Sequence, residues 1–179
     1  MAEAWQTDPQ AAAEEARRRI AVAAEAEDSE TAETLDFSDL SALTTLPAEI
    51  AGLTRLRRLF TVRRDARGRI VQLPSARSLR DIAALAGITN LTSLDLMGTR
   101  VMDLAPLAGH MGMTSLSLDF TPVSDLRSLG GLASLTSLNL DNSNISDLSP
   151  LLSIPAFAEE RAEALSFEQT PAADPAADR

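Results

Sequence analysis

Leucines recur in a fixed pattern through the second half of this chain. Three segments align when they are stacked 22 residues apart, and they are Leu91–Thr99, Met113–Thr121 and Leu135–Ser143. Within each segment two leucines alternate with polar residues, which is the period of a half-buried β-strand. Further along each unit two leucines are spaced by three, which suits a 3₁₀ or short α turn. A short unit repeated in this way predicts a solenoid of stacked strands and turns.

Aspartates keep the same period and directly precede each predicted turn. They are Asp81, Asp103, Asp125 and Asp147. A short carboxylate at this place can accept hydrogen bonds from the unpaired N–H groups of the first turn, which predicts N-caps. Carboxylates in register could also form a metal ladder, but capping explains all four. A file of hydroxyls, Thr99, Thr121 and Ser143, is predicted to bond backbone groups left unpaired where the strands end.

These residues carry a family resemblance. The pattern LxxLxLxx[T/S]x[V/I]xDLxPL resembles the 22-residue leucine-rich repeat of internalin-type proteins, and Asn142–Leu151 matches it best. Leu35–Phe37 and Leu43–Ile50 resemble the bacterial repeat that often begins such arrays. The resemblance covers roughly residues 33–153. It implies an α/β solenoid with a parallel β-sheet on the concave face, short 3₁₀ or α turns on the convex face, and a protein-binding role without catalysis.

The two ends of the array are predicted to differ from its middle. Residues 1–32 are expected to form an N-terminal cap, with a helix over residues 8–28 that Asp8 caps and that has Pro9 at its first position. A partner-binding amphipathic helix is the alternative, but its apolar side would be mostly alanine. Residues 154–179 are expected to contain a short helix that begins at Pro155, a last strand at Leu165 and Phe167, and a mobile tail.

The period breaks between Leu59 and Leu94, which lie 35 residues apart. An irregular Arg-rich segment at residues 55–73 overlaps the start of this gap, where either a hairpin-like excursion or a truncated repeat is expected. Residues 51–80 carry nine Arg against Asp65 alone, whereas the net charge of the whole chain is −10. The candidate contacts for an acidic protein partner are Arg63, Arg64, Arg67 and Arg69. The alternative role of this segment is a solvated loop that pairs with acidic neighbouring repeats.

The side chains that alternate with the inward leucines define a candidate partner-binding surface. They form three files of mostly small, hydroxylated or acidic residues. The files are Ser93, Ser115 and Ser137; Asp95, Ser117 and Asn139; and Met97, Asp119 and Asp141, with Phe120 beside the third. Six four-residue strands would cover roughly 25 by 13 Å, less than the roughly 800 Å² per partner of a standard interface. A partner is therefore expected to contact loops, the Arg-rich segment or one end of the array as well.

Composition argues against most other functions. His110 is the only histidine and falls at an otherwise apolar repeat position, which predicts a partly buried core residue instead of a catalytic or metal-binding one. The chain has no cysteine and no recognisable catalytic motif, so no catalytic residue, metal site or cofactor is predicted. We expect no export signal and no membrane span, and therefore a location in the bacterial cytoplasm. We also expect a monomer.

Three alternative functions stay open. The chain could be the sensor portion of a larger bacterial signalling protein. It could bind nucleic acid through residues 55–69, although Phe60 is the only aromatic residue among those arginines and the net charge is −10. An enzyme is the least supported alternative.

Overall fold

Six short parallel strands, arranged in chain order, form the spine of the protein. The computed structural model describes residues 3–62, 78–158 and 165–173. Each strand pairs in parallel with the next one along the chain, so the order across the sheet is β1 to β6. The strands are β1 (Thr34–Asp36), β2 (Arg58–Phe60), β3 (Ser93–Asp95), β4 (Ser115–Ser117), β5 (Ser137–Asn139) and β6 (Leu165–Ser166). Each return of the chain therefore adds one strand beside the last, as the repeat predicts.

A file of register-matched leucines joins the strands on their inner side. Its members are Leu35, Leu59, Leu94, Leu116, Leu138 and Leu165. Opposite the sheet, 3₁₀ turns over Ala48–Gly52, Ala83–Gly87, Ala105–Leu107, Arg127–Leu129 and Ser149–Ser153 form the convex wall. Each of these turns buries one aliphatic side chain against the same core. The fold is thus a two-walled solenoid, and each buried leucine contributes about 1.5–3 kcal/mol relative to an exposed one.

The four recurring aspartates each bond the first amide of one of the last four convex turns. Every Oδ1 accepts a hydrogen bond from the backbone N–H two residues later, at 2.8 or 2.9 Å. That amide belongs to the first residue of the 3₁₀ turn and has no partner within the turn itself. The predicted hydrogen bonds to the first turn are confirmed, but each aspartate lies one residue before the N-cap position, which is Ile82, Leu104, Leu126 or Leu148. Among the described residues, no group of three or more His, Asp or Glu side chains is arranged to hold a metal ion.

The hydroxyl file behaves as predicted at two of its three positions. Thr99 Oγ1 donates to Leu96 O at 2.7 Å, and Thr121 Oγ1 donates to Leu118 O at 2.6 Å. The Oγ of Ser143 is buried without a partner, so the prediction is wrong there. Threonine is stiff about χ1 because it is β-branched, and serine lacks that restriction.

Helix α1 (Pro9–Glu25) covers the N-terminal end of the leucine core. It begins after Asp8, whose side chain accepts from Gln10 N at 2.8 Å, as the sequence predicts. Its buried face consists of Ala12, Ala16, Ile20 and Ala23, which join the core of the repeats. Small alanine side chains let the helix lie close against the end of the array. A second helix, α2 (Ser29–Glu33), leads directly into β1 and was not predicted.

Arg19 of α1 also occupies the outer edge of the sheet. The carbonyl of Asp36 in β1 points away from β2, because the next amide, Phe37 N–H, bonds Phe60 O at 2.8 Å. Arg19 Nη1 donates to that outward carbonyl at 2.6 Å, and its guanidinium also pairs with both oxygens of Asp39 at 2.7 and 2.9 Å. Burial opposes ionisation of Asp39, but these Arg19 contacts lower its pKa below the usual value. The edge of β1 is therefore blocked by a fixed side chain.

The break in the period inserts no strand into the sheet. Leu59 and Leu94 are direct register partners although 35 residues separate them. The chain rejoins the array at Leu79, whose carbonyl accepts from Arg100 N at 2.7 Å. No strand therefore lies between β2 and β3, and the hairpin-like excursion and the truncated repeat both stay predictions. The hairpin-like excursion and the candidate contacts Arg63, Arg64, Arg67 and Arg69 fall within residues 63–77, outside the described residues.

The C-terminal end follows the predicted order. Helix α3 (Pro155–Ala158) begins at the expected proline. Strand β6 comes 27 residues after β5, yet Leu165 pairs in register with Leu138. In the described part of the chain, none of the helices combines the length and apolarity that crossing a membrane requires.

We predict that Leu116→Ala lowers the free energy of unfolding by about 2–5 kcal/mol, because it removes buried surface and leaves a cavity. Leu116 is 1% exposed at the centre of the leucine file. Ser115→Ala, one residue away with its side chain half-exposed, should change stability by no more than about 0.5 kcal/mol. Urea denaturation of the two variants checks this, and equal losses would contradict the assigned register.

Candidate partner-binding surface

The concave side of the sheet forms a shallow depression of about 390 Å³. Six of the predicted contact residues line it together. They are Ser93, Asp95, Ser115, Ser117, Ser137 and Asn139. Phe60 lines it as well and was missed, although its register position beside Asp36 and Asp95 could have identified it. The structure thus joins the first two predicted files into one surface with small side chains and one aromatic ring.

Three of the predicted surface residues are almost entirely buried. Asp95, Met97 and Asp119 are 4%, 4% and 5% exposed, whereas the sequence predicts an outward-facing surface. Neighbouring strands lie only about 4.8 Å apart and cover one another's side chains on this face. Asp95 also turns back onto the chain, since its Oδ1 accepts from Met97 N at 3.0 Å. Met97 and Asp119 of the third file therefore expose little of their side chains to a partner, whereas Asp141 is half-buried.

Asp119 is a buried carboxylate with two described hydrogen bonds. Its Oδ2 accepts from Ser117 Oγ at 2.9 Å, and its Oδ1 accepts from Asp141 N at 3.2 Å. The pKa of Asp119 is raised to about 6, mainly by burial and in smaller part by the nearby carboxylates of Asp141 and Asp95, while the hydrogen bonds from Ser117 and Asp141 N only partly oppose the change. One pKa unit corresponds to about 1.4 kcal/mol, so the ionised form costs the folded state on the order of 2–3 kcal/mol at neutral pH.

Asp141 connects this buried carboxylate to the last strand. Its Oδ1 accepts from both Ser166 Oγ and Glu168 N at 2.7 Å. The side chain of Asp141 is half-buried, and Glu168, which occupies the same repeat position after β6, is exposed. Asp119, Asp141 and Glu168 therefore stand side by side in three successive repeats, and we call these three carboxylates the acidic rim.

Phe120 sits beside the acidic rim in a strained backbone conformation. Its φ is 55°, and the matching positions Gly98, Asn142 and Gln169 also have positive φ. Glycine and asparagine tolerate this left-handed region, whereas other side chains cost about 1–2 kcal/mol there. A hydrogen bond from Phe120 N to Asp141 O, at 2.8 Å, holds the turn, and the residue is 53% exposed. A bulky aromatic residue that is both strained and exposed is a candidate for function.

His110 lies outside this surface, in the leucine core. It is fully buried, more than the sequence predicts, with Nδ1 3.2 Å from Leu107 O and no partner for Nε2. Burial lowers its pKa below the ordinary value. The position is a core position, as its apolar counterparts in other repeats indicate.

Comparison with solved structures finds similar proteins at low sequence identity. Internalin C2 from Listeria monocytogenes aligns with 87% of this chain and 73% of its own, with a TM-score of 0.58 and 21% identity. TLR13, in its complex with ssRNA13, aligns with 72% of this chain and 17% of its own, with a TM-score of 0.48 and 22% identity. No protein-family model matches the chain, and no curated protein is significantly similar in sequence. The likeness to internalin C2 shows the fold, and the chain is a leucine-rich-repeat solenoid.

We predict that Asp119→Asn stabilises the protein at pH 7.5 by about 1–3 kcal/mol, because it removes a buried charge and keeps an acceptor for Asp141 N. The folded-state pKa of Asp119 is raised to about 6, so the wild type regains this stability as pH falls from about 6 to about 4. The difference between the unfolding free energies of the two proteins, measured by urea denaturation, should therefore become smaller as pH falls over that range. Asp103→Asn removes one exposed charge but keeps its cap, and it should change stability little at either pH.

We predict that His110→Leu leaves stability equal or higher at pH 8 and gives a larger advantage at pH 5. Since burial lowers the pKa of His110, the unfolded chain takes up a proton first as pH falls below about 6.5, and the wild type loses stability. Thermal denaturation of both proteins at the two pH values measures this. Both proteins keep Asp119, so the difference between their stabilities reports on the histidine alone. A stability difference that does not change with pH would contradict a buried neutral imidazole.

Proposed function

We propose that this chain is a non-enzymatic module that binds another protein across its concave face. The observation that carries the proposal is the depression on the concave face, lined by register-matched polar side chains, together with the exposed Phe120, which has a left-handed backbone conformation just after β4. Aromatic side chains are frequent energetic anchors of protein interfaces. The resemblance of the repeats to internalin-type repeats, whose family consists mostly of protein-binding scaffolds, supports the same role.

The chemistry of the depression favours binding over catalysis. A serine nucleophile needs a general base within hydrogen-bond distance. A carboxylate does lie within this distance of Ser117, but Asp119 is almost entirely buried and its other oxygen accepts from Asp141 N. The single histidine of the chain, the residue type that most often acts as such a base, lies in the leucine core. The depression therefore offers small side chains, hydroxyls and one amide for hydrogen bonding, which is the chemistry of recognition.

Protein is a better partner than nucleic acid for this face. The acidic rim would repel a phosphate backbone, whose binding depends on neutralisation by Lys and Arg.

The estimated area of the concave sheet stays below that of a standard interface, so the partner must reach beyond it. We propose that Arg63, Arg64, Arg67 and Arg69 contribute by steering an acidic part of that partner. Three predictions from the sequence stay predictions. The first is the division into an N-terminal cap (1–32), the repeats (33–153) and a C-terminal cap (154–179). The others are a location in the bacterial cytoplasm and a monomeric state.

The matched pair Ser137→Trp and Ser134→Trp tests the proposal. Ser137 lines the depression, whereas Ser134 is exposed outside it, so the same uncharged side chain fills the concave face in one variant only. Wild type and both variants are immobilised, and the proteins they capture from a lysate are quantified by mass spectrometry. We expect at least one captured protein to fall about tenfold with Ser137→Trp and to stay at the wild-type level with Ser134→Trp.

Circular dichroism of both variants must match that of the wild type. The proposal is wrong if both tryptophans have the same effect on every captured protein, since recognition would then not pass through the concave face.

A further inference from the structure

We infer that the partner presents an arginine or lysine side chain to Phe120 and the acidic rim of Asp119, Asp141 and Glu168. This inference rests on the proposed function and names the chemistry of the partner. It concerns the end of the concave face formed by β4, β5 and β6.

The backbone fixes these groups beside one another. Phe120 N bonds Asp141 O at 2.8 Å, and Asn142 N bonds Glu168 O at 2.9 Å, so the three repeats continue their pairing beyond the strands. Successive paired strands lie about 4.8 Å apart. The backbones that carry the three carboxylates and Phe120 are therefore joined by hydrogen bonds and do not belong to separate loops.

The negative charge of the rim has no balancing cation in the described part of the chain. Asp119 bonds Ser117 and Asp141 N, and Asp141 bonds Ser166 and Glu168 N. The ion pairs among described residues involve Arg17, Arg18, Arg19 and Arg127, on α1 and on a convex turn. Like charges at this spacing repel one another, and a cation at the more exposed Asp141 and Glu168 would reduce this repulsion, including that on the buried Asp119.

The exposed ring decides between a cationic and an apolar occupant. An apolar side chain packed on Phe120 would take water away from the neighbouring carboxylates and leave them without compensation. A guanidinium or ammonium group can lie over the face of the ring and pair with a carboxylate at the same time. An acidic side chain would meet direct repulsion. Charge complementarity therefore selects Arg or Lys at this end of the face.

Binding of a cation should also release a proton near pH 6. The pKa of Asp119 stands at about 6 because of burial and neighbouring carboxylates, and a cation at the rim would lower it. Part of the Asp119 population is protonated at pH 6 and would lose its proton on binding. At pH 8 the same binding should release none.

The test is selection of random peptides, about twelve residues long so that they can cross the sheet, on the full chain. Peptides that also bind Ser137→Trp are removed, so that the remaining ones depend on the concave face. We expect the remaining peptides to be enriched in Arg or Lys relative to the library. A synthesised member should bind Phe120→Asn and Asp141→Asn at least about tenfold more weakly than the wild type.

The variants are chosen to keep the fold. Asparagine occupies the same left-handed position at Asn142, so Phe120→Asn removes the ring and keeps a turn that suits its backbone. Asp141→Asn keeps Oδ1 as the acceptor for Ser166 and Glu168 N. Asp103→Asn removes one charge from a convex turn and is the control for net charge. Titration calorimetry in two buffers of different ionisation enthalpy at pH 6 and pH 8 measures the released proton.

The possible failures are distinct. Concave-face peptides that are neutral or acidic would overturn the cationic partner and leave the proposed function standing. An equal loss of affinity with Asp103→Asn and Asp141→Asn would mean attraction to bulk charge and would overturn the inference as well. If no peptide depends on the concave face, both the inference and the proposed function fail.

Discussion

The structure depends on one constraint, which is the register in which each strand lies beside the next. A slip of one residue would turn every inward leucine outward, because side chains alternate along a strand. The chain keeps this register across spacings of 22, 27 and 35 residues, as Leu116, Leu165 and Leu94 show against their partners. Extra residues are placed in the connections, where they disturb neither the leucine file nor the backbone pairing.

The same register brings two unfavourable features together at the edge of the concave face. Asp119 keeps a carboxylate in a buried position, and Phe120 keeps a bulky residue in the left-handed region. Neither feature is needed for the repeats to stack, since the repeat of β3 has Met97 and Gly98 at the matching positions. Proteins retain such local costs mainly where they serve function. Their adjacency is the strongest structural reason to place recognition at this end of the sheet.

Much of the architecture could be predicted because it follows from local chemistry. Alternating leucines gave the strands, Asp8 and Pro9 gave the start of α1, and Asp103 and its counterparts gave the caps. These signals need only neighbouring residues and one fixed period.

The site was less predictable because it depends on what lies across neighbouring strands. Asp95 and Asp119 are buried by adjacent strands and by their own hydrogen bonds. The alternation of inward and outward residues along one strand carries no information about these contacts. Phe60 joins the depression only through pairing with residues 24 and 35 positions away. The contacts of Arg19 with Asp36 and Asp39 likewise join elements whose separation in sequence carries no periodic signal.

A left-handed residue follows each of the strands β3, β4, β5 and β6, and its backbone conformation is the same whatever its side chain. Gly98, Phe120, Asn142 and Gln169 share one conformation but differ in size, polarity and aromatic character. A molecule lying across the strands would meet these four side chains in a fixed order, one per strand spacing of about 4.8 Å. The residue at each of these positions can therefore change independently. A substitution alters what is recognised at one place and leaves the spacing of the other positions unchanged.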